Sequence, residues 1–157
     1  MTVTTLLMLV QGDPIDRVLL GYKKVGFGKG KFTGIGGKVE AGETIKAAAL
    51  REMTEETGVL VDEKHLLDKG QIEFFFPAKP TWNLTIHIFL TRRWRGRPEE
   101  GREIRPKWFE TDLLPFNQMW DDASYWYNRV LSGEKIRASF RFKSDNETID
   151  TYQFHRD

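Results

Sequence analysis

Glu52, Glu55 and Glu56 stand three and four residues apart behind Arg51, and upstream of them lie Gly36, Gly37 and Glu43. On a helix that spacing brings the three Cβ atoms within about 5–6 Å of one another. Carboxylates crowded in this way repel, and a divalent cation relieves the repulsion. Hard oxygen ligands with no cysteine nearby select Mg²⁺ or Mn²⁺ over zinc. A charged helix face is by itself an ordinary solvated surface, and Arg51 four residues before Glu55 would make an ion pair on any such face. Its company sets this one apart. Gly36 and Gly37 let a backbone group approach a ligand closely, Lys38 beside them suits a phosphate, and Glu40 and Glu43 supply supporting acids. From average residue usage, the full spacing of Gly37, Glu43, Arg51, Glu52, Met53, Glu55, Glu56, Gly58 and Val59 arises at any one starting position with a chance on the order of 10⁻⁹.

The elements that must position these residues are legible in periodicity. Ile45, Ala49, Met53 and Leu50 recur at helical intervals, so a helix is predicted over 44–57, stopped by Gly58, with an extended run over 59–61. Strands are expected over 3–10 and 17–22 about the Gly12-Asp13-Pro14 turn, and over 72–76, 84–90 and 107–109. A helix over 123–131 and a hairpin of 136–142 with 148–154 complete the chain, and 77–83 reads as a loop. The run Gly26-Phe27-Gly28-Lys29-Gly30 is not a dinucleotide fingerprint, because Lys31 stands where the third glycine belongs and no helix follows. Strands, helix, strands, helix is the order of an α/β (α+β) fold with a mixed sheet between helices.

Composition narrows the rest. A chain of 157 residues with 39% apolar content suits one domain over 1–157. A net charge of +1 excludes a general polyanion grip, so no long nucleic acid is expected as partner. The chain has no cysteine, which removes disulfides and thiolate metal sites and fits a reducing compartment. The apolar stretch Leu6 to Val10 is too short to span a bilayer, so a soluble cytoplasmic protein, acting as a monomer, is expected. His65, His87 and His155 have no ligand spacing.

The pattern Gly-x5-Glu-x7-Arg-Glu-Met-x-Glu-Glu-x-Gly-Val resembles the Nudix box of nucleoside diphosphate-linked hydrolases at every fixed position. The resemblance implies a Nudix-type α/β/α sandwich and a magnesium-dependent enzyme in which water attacks a phosphorus of a nucleoside diphosphate linkage. Glu52, Glu55 and Glu56 would then be metal ligands, with Glu52 or Glu56 as base and Arg51 orienting them; Gly36 and Gly37 would stand beside the metal and phosphates. Outside the box, Arg17 to Gly21, Lys23-Lys24, Gly26-Phe27-Gly28, Gly70-Gln71-Ile72, Trp108-Phe109, Met119-Trp120 and Ser124-Tyr125-Trp126 resemble the MutT-homologue branch of that family, the oxidised purine nucleoside triphosphatases of animals. This implies a nucleoside triphosphate substrate such as 8-oxo-dGTP or 2-hydroxy-dATP. It also implies a purine pocket lined by Phe27, Phe74, Leu84 and Trp120, a distal carboxylate from Glu103, and Lys23 near the sugar or phosphates.

Aromatic residues make up 13% of the chain, and rings stack on bases of any sequence for roughly 1–3 kcal/mol each. Phe27, Phe74 and Trp120 fall in or beside loop-like stretches that suit such a role, although most aromatics in a domain of this size are core. At the specificity positions the chain departs from the branch, which has asparagine at Thr33 and adjacent aspartates at Asp122 and Ala123. Here the pair is Asp121-Asp122. A threonine hydroxyl reads fewer base edges than an amide, and Asp122 is expected at the base, with Asp121 as a second candidate and one of the two as a helix cap. A buried aspartate there would hold a proton and donate it to the purine. Alkylated purine triphosphates, capped or 5′-triphosphorylated RNA and ADP-ribose are the alternative substrates, and a nucleotide-binding module without turnover is the alternative class. The intact Glu52, Glu55 and Glu56 favour the enzyme.

Overall fold

The computed structural model describes residues 1–156. Its centre is a mixed eight-stranded sheet of β1 (Thr2–Gln11), β2 (Arg17–Lys23), β3 (Phe32–Thr33), β4 (Leu67–Phe75), β5 (Leu84–Thr91), β6 (Ile104–Glu110), β7 (Ile136–Phe142) and β8 (Ile149–Phe154). The order across it is β3-β2-β1-β5-β4-β7-β8, and β6 also pairs with β2. β1 runs parallel to β5, and β4 parallel to β7, while the remaining pairs are antiparallel.

β1 and β2 pair only at Val10↔Val18 and Gln11↔Arg17 and then part. The edge of β1 freed in this way takes up residues 35–39 instead: Leu7 and Ile35 exchange N–H···O bonds at 2.7 and 3.1 Å, and the Thr5 N–H donates to Gly37 O at 2.9 Å. The glycine loop is thereby fixed to the central strand. Successive residues of β1 point to opposite faces. Leu6, Met8 and Val10 enter one core with Trp126, Tyr127 and Val130 of α2 (Ala123–Leu131). Leu7 and Leu9 enter the other with Ala49 and Met53 of α1 (Ile45–Thr57). These are the three layers of an α/β/α sandwich, and among the described residues no helix is long and apolar enough to cross a membrane.

Helix α1 starts where Thr44 caps it, its hydroxyl accepting from Ala47 N–H at 3.1 Å. It ends at Gly58, whose φ of 81° is the left-handed cap that glycine adopts without a Cβ penalty. Several boundaries differ from the periodicity. β4 begins at Leu67, ahead of Ile72, because its polar start Asp68-Lys69-Gly70 carries a register shift against β5 that hides the alternation. Residues 59–61 make only a single bridge, Leu60↔Arg95, and no strand. The 77–83 loop contains one short helical turn, Pro80–Trp82.

Candidate active site

Arg51 is the hub of the acid-bearing helix. Its Nε donates to Glu43 at 2.7 Å, its Nη1 to Glu52 at 3.0 Å and Glu55 at 3.1 Å, and its Nη2 to Glu43 at 3.0 Å and Lys38 O at 3.1 Å. One guanidinium thus ties the helix to the loop before it, using the fixed fork that lysine lacks. The pairing holds Glu43 below the ordinary carboxylate range and raises Arg51 above its own.

The three glutamates do not share one environment. Glu55 lies outward, its side chain 56% exposed beside Arg51. Glu56 is buried, because it follows Met53 by three residues and Ala49 by seven and so falls on the face that α1 turns to the core. Burial, then the charges of Glu103 and Glu52, push Glu56 up to about 7; Lys23 opposes them. Glu52 is raised as well, by burial first, with Arg51 pulling it down. Among the described residues, no three acids already surround one point that a cation would take. Glu52 is instead paired with the Arg51 guanidinium, and Glu56 lies near Glu103.

Glu103 arrives by a docked loop. Glu99 N–H donates to Thr57 O at 3.0 Å at the end of α1, and Gly101 lies so close that a Cβ there would stand 2.8 Å from Glu56 O. Lys24 N–H holds Glu103 O at 2.8 Å, and Lys23 Nζ sits 3.9 Å from the Glu103 carboxylate. Gly36 and Gly37 are required by packing. A Cβ on Gly36 would be 1.8 Å from Thr5 O, and one on Gly37 2.6 Å from the Glu52 carboxylate.

On the other face of the sheet lies a narrow cleft of about 60 Å³ lined by Phe27, Thr33, Phe74, Leu84, Trp120 and Asp122, which were expected there, and by Leu6, Phe76, Trp126 and Tyr127, which were not. Phe27, 46% exposed, stacks on Trp120 with centroids 5.1 Å apart and meets Trp82 edge-on at 5.0 Å. Phe74 is largely core, stacked on Phe140 at 5.7 Å. Asp122 is 5% exposed and its Oδ2 accepts from Trp126 Nε1 at 2.7 Å. Burial raises it to about 6, and the indole bond restrains the rise.

The two adjacent aspartates part company. Asp122 occupies the position before α2 but makes no side-chain cap bond. Asp121, the second candidate for the base, is not among the cleft's lining residues; its Oδ2 accepts from Ile149 N–H at 2.8 Å and ties the start of α2 to β8. Tyr127 was missed: its hydroxyl accepts from Gly34 N–H at 3.2 Å and stands 3.3 Å from Thr33 Oγ1. The available signal was the apolar face Ala123, Trp126, Tyr127, Val130 of α2, which carries one phenol.

From Thr33 in the cleft to Gly37 beside Glu52 the chain covers four residues, about 13 Å of extended backbone. Such a helix of acids beside a glycine loop, with an aromatic cleft at the loop's other end, defines a class of hydrolases. The chain belongs to the NUDIX family: the NUDIX domain pattern matches residues 2–130. It is 43% identical over 148 residues to an oxidized purine nucleoside triphosphate hydrolase of Mus musculus, covering 94% of this chain and 90% of that one. It is 42% identical over 146 residues to the protein of that name from Danio rerio, covering 93% and 90%. The fold is also that of a MutT protein from Bacillus halodurans, with a TM-score of 0.78 at 23% identity over 98% of this chain and 97% of the other.

Proposed function

We propose that this NUDIX hydrolase cuts oxidised purine nucleoside triphosphates, such as 8-oxo-dGTP or 2-hydroxy-dATP, to the monophosphate and pyrophosphate, and so keeps damaged purines out of nucleic acid synthesis. The observation that carries the reading is Glu56, a carboxyl buried against Glu103 and Glu52 with Lys23 as its nearby cation. Buried like charges are costly unless something neutralises them. Oxygen donors of this kind fit Mg²⁺, with Mn²⁺ as substitute. Glu52, Glu56 and Glu103 would hold the ion, beside the Gly36-Gly37 backbone. When bound, it would acidify a water and draw charge from phosphate oxygens.

The chain's own groups do the rest. Arg51 locks Glu43, Glu52 and Glu55 into one frame, which keeps the glutamates from turning away. Glu52 or Glu56, the two glutamates of the helix that face inward, takes a proton from the attacking water. Lys23, 3.9 Å from Glu103, and Lys38, next to Gly37, offer positive charge to the phosphates. At the far end the purine enters between Phe27 and Trp120. The cleft, at about 60 Å³, is smaller than a ligand site, so the rings of Phe27 and Trp120, with centroids 5.1 Å apart, would have to part to admit the base. Phe74 and Leu84 flank it, and Thr33 and Asp122 meet its polar edge. The names of the mouse and zebrafish relatives support the substrate class.

The test is pyrophosphate release with Mg²⁺ across 8-oxo-dGTP, 2-hydroxy-dATP, dGTP and dATP, with Glu56→Gln as control. The oxidised nucleotides are expected to be preferred and the control inactive. Equal turnover of all four would remove the specificity, and full activity of the control would remove Glu56 from the chemistry.

A further inference from the structure

Apart from the indoles, the cleft is apolar except at Thr33, Asp122 and Tyr127. Asp122 brings a carboxylate, and Ala123 beside it brings nothing polar. Tyr127 lies on α2, 2% exposed, with its phenol oxygen between Gly34 N–H at 3.2 Å and Thr33 Oγ1 at 3.3 Å. A phenol carries one proton and accepts on its oxygen. The Gly34 N–H takes one acceptor position, and burial, with the nearby charge of Asp122, keeps the proton on Tyr127 by pushing its loss up to about 12. The hydroxyl within reach of that proton is Thr33 Oγ1. The contact can run either way between two hydroxyls; with Tyr127 as its donor, a lone pair of Thr33 is committed and Thr33 turns its own proton elsewhere. A threonine hydroxyl without such a neighbour rotates and serves as donor or acceptor alike.

Resting on the reading of this cleft as the base site, we propose that Tyr127 is a specificity-determining residue that acts through Thr33. Its hydroxyl fixes Thr33 as a hydrogen-bond donor to the purine, beside the carboxylate of Asp122. The cleft then presents one donor and one acceptor in a fixed order, which tells a 6-oxo-purine, with acceptor O6 beside N1–H, from a 6-amino-purine, in which donor and acceptor are exchanged; it does not itself read the oxidised position. An edge that carries the two in the reverse order leaves a buried group unpaired and is refused. Tyr127 thereby does part of the selecting that a second carboxylate at Ala123 would otherwise do.

The experiment is kcat/KM for 8-oxo-dGTP, 2-hydroxy-dATP, dGTP and dATP in the wild type, Tyr127→Phe, Thr33→Val and the double variant, with thermal unfolding of each. Fixing one hydrogen bond to a base edge carries a discrimination of about tenfold. The ratio of dGTP to dATP turnover is therefore expected to change about tenfold in each single variant and no further in the double, while the ratio of 8-oxo-dGTP to dGTP, which share that edge, stays as it was. Equal loss on all four substrates in Tyr127→Phe, an unchanged ratio of dGTP to dATP, or effects that multiply in the double variant would overturn the proposal. Should Tyr127→Phe not fold, because Gly34 N–H is orphaned, 3-fluorotyrosine at position 127, which keeps the hydroxyl but strengthens its donation, replaces it: a ratio that shifts with Thr33 present and not in Thr33→Val supports the proposal, and an unshifted ratio overturns it. Trp120→Ala separates the two levels. If it leaves KM unchanged for all four nucleotides, the base site itself is misplaced; if KM rises and the dGTP to dATP ratio of Tyr127→Phe is that of the wild type, the role of Tyr127 alone fails.

Discussion

Glu56 carries a carboxyl where the fold would sooner have an apolar group, and its cost depends on pH in a direction that can be worked out. Its ordinary value of 4.5 rises to about 7 in the folded chain, so the folded state holds the proton more tightly than the unfolded one. The stability from that proton is fully present below about 4.5 and is lost as pH rises through about 7. At 1.36 kcal/mol per pH unit the ceiling is on the order of 3 kcal/mol. Glu56→Gln keeps the shape and removes the charge. Without metal the variant should unfold at a higher temperature than the wild type at pH 8 and at nearly the same temperature at pH 4.5, while adding Mg²⁺ at pH 8 should stabilise the wild type more than the variant, which keeps only Glu52 and Glu103 of the three carboxylates. A variant less stable than the wild type at pH 8 would show that Glu56 has a partner that the charges around it do not reveal. The spacing of Glu52, Glu55 and Glu56 was plain in the sequence. Their division into two that face inward and one that faces solvent was not, because it depends on which arc of α1 meets the sheet. Tyr127 was hidden for the same reason, since its hydroxyl gains meaning only from Gly34 and Thr33, more than ninety residues away in sequence.

Among the elements, the loop between β3 and α1 bears the strictest demands. It must lie against β1 and under Glu52 at once, which is why a Cβ on Gly36 would fall 1.8 Å from Thr5 O. Backbone cannot yield there as a side-chain tip would. Gly36→Ala is expected to lose at least about 3 kcal/mol in urea unfolding, the upper end for overpacking, whereas Gly42→Ala, with φ of 80° and open space around it, should lose about 1–2 kcal/mol from left-handed strain alone. Similar losses would mean that β1 shifts to make room. Legibility followed how local each element's cause is. Helix α2 and the strand β7 were readable to the residue because their periodicity is unbroken over Ala123–Leu131 and Ile136–Phe142. Strand β3, two residues long, exists only by pairing with β2, and the first residues of β6 are strand because β2 lies opposite, not because Arg105-Pro106 favours it. The glycine pair was read as room for a ligand; the structure uses it first as room for the protein itself.

At the scale of the whole molecule, the two halves of the site rest on different cores. The acids ride on α1 with Ala49 and Met53, while Trp120 and the cleft belong to the core of α2, and the residues 33–37 join them. A nucleoside triphosphate bound as proposed would be gripped by its base on one side of the sheet and cut on the other. Trp120→Ala removes stacking that is present before and during reaction, so it should raise KM by roughly 5- to 150-fold, the worth of one stacked base at 1–3 kcal/mol, with kcat little changed. Glu52→Gln removes charge that matters most as the phosphorus is attacked, and should lower kcat by about 10²–10³. Because the two side chains share no partner and sit on opposite cores, their effects on kcat/KM should add in free energy to within about 0.5 kcal/mol. Kinetics of the two single variants and the double variant with 8-oxo-dGTP check this. A coupling above about 1 kcal/mol would mean that base and phosphate are not gripped separately, and that filling the aromatic cleft rearranges the acids through residues 33–37.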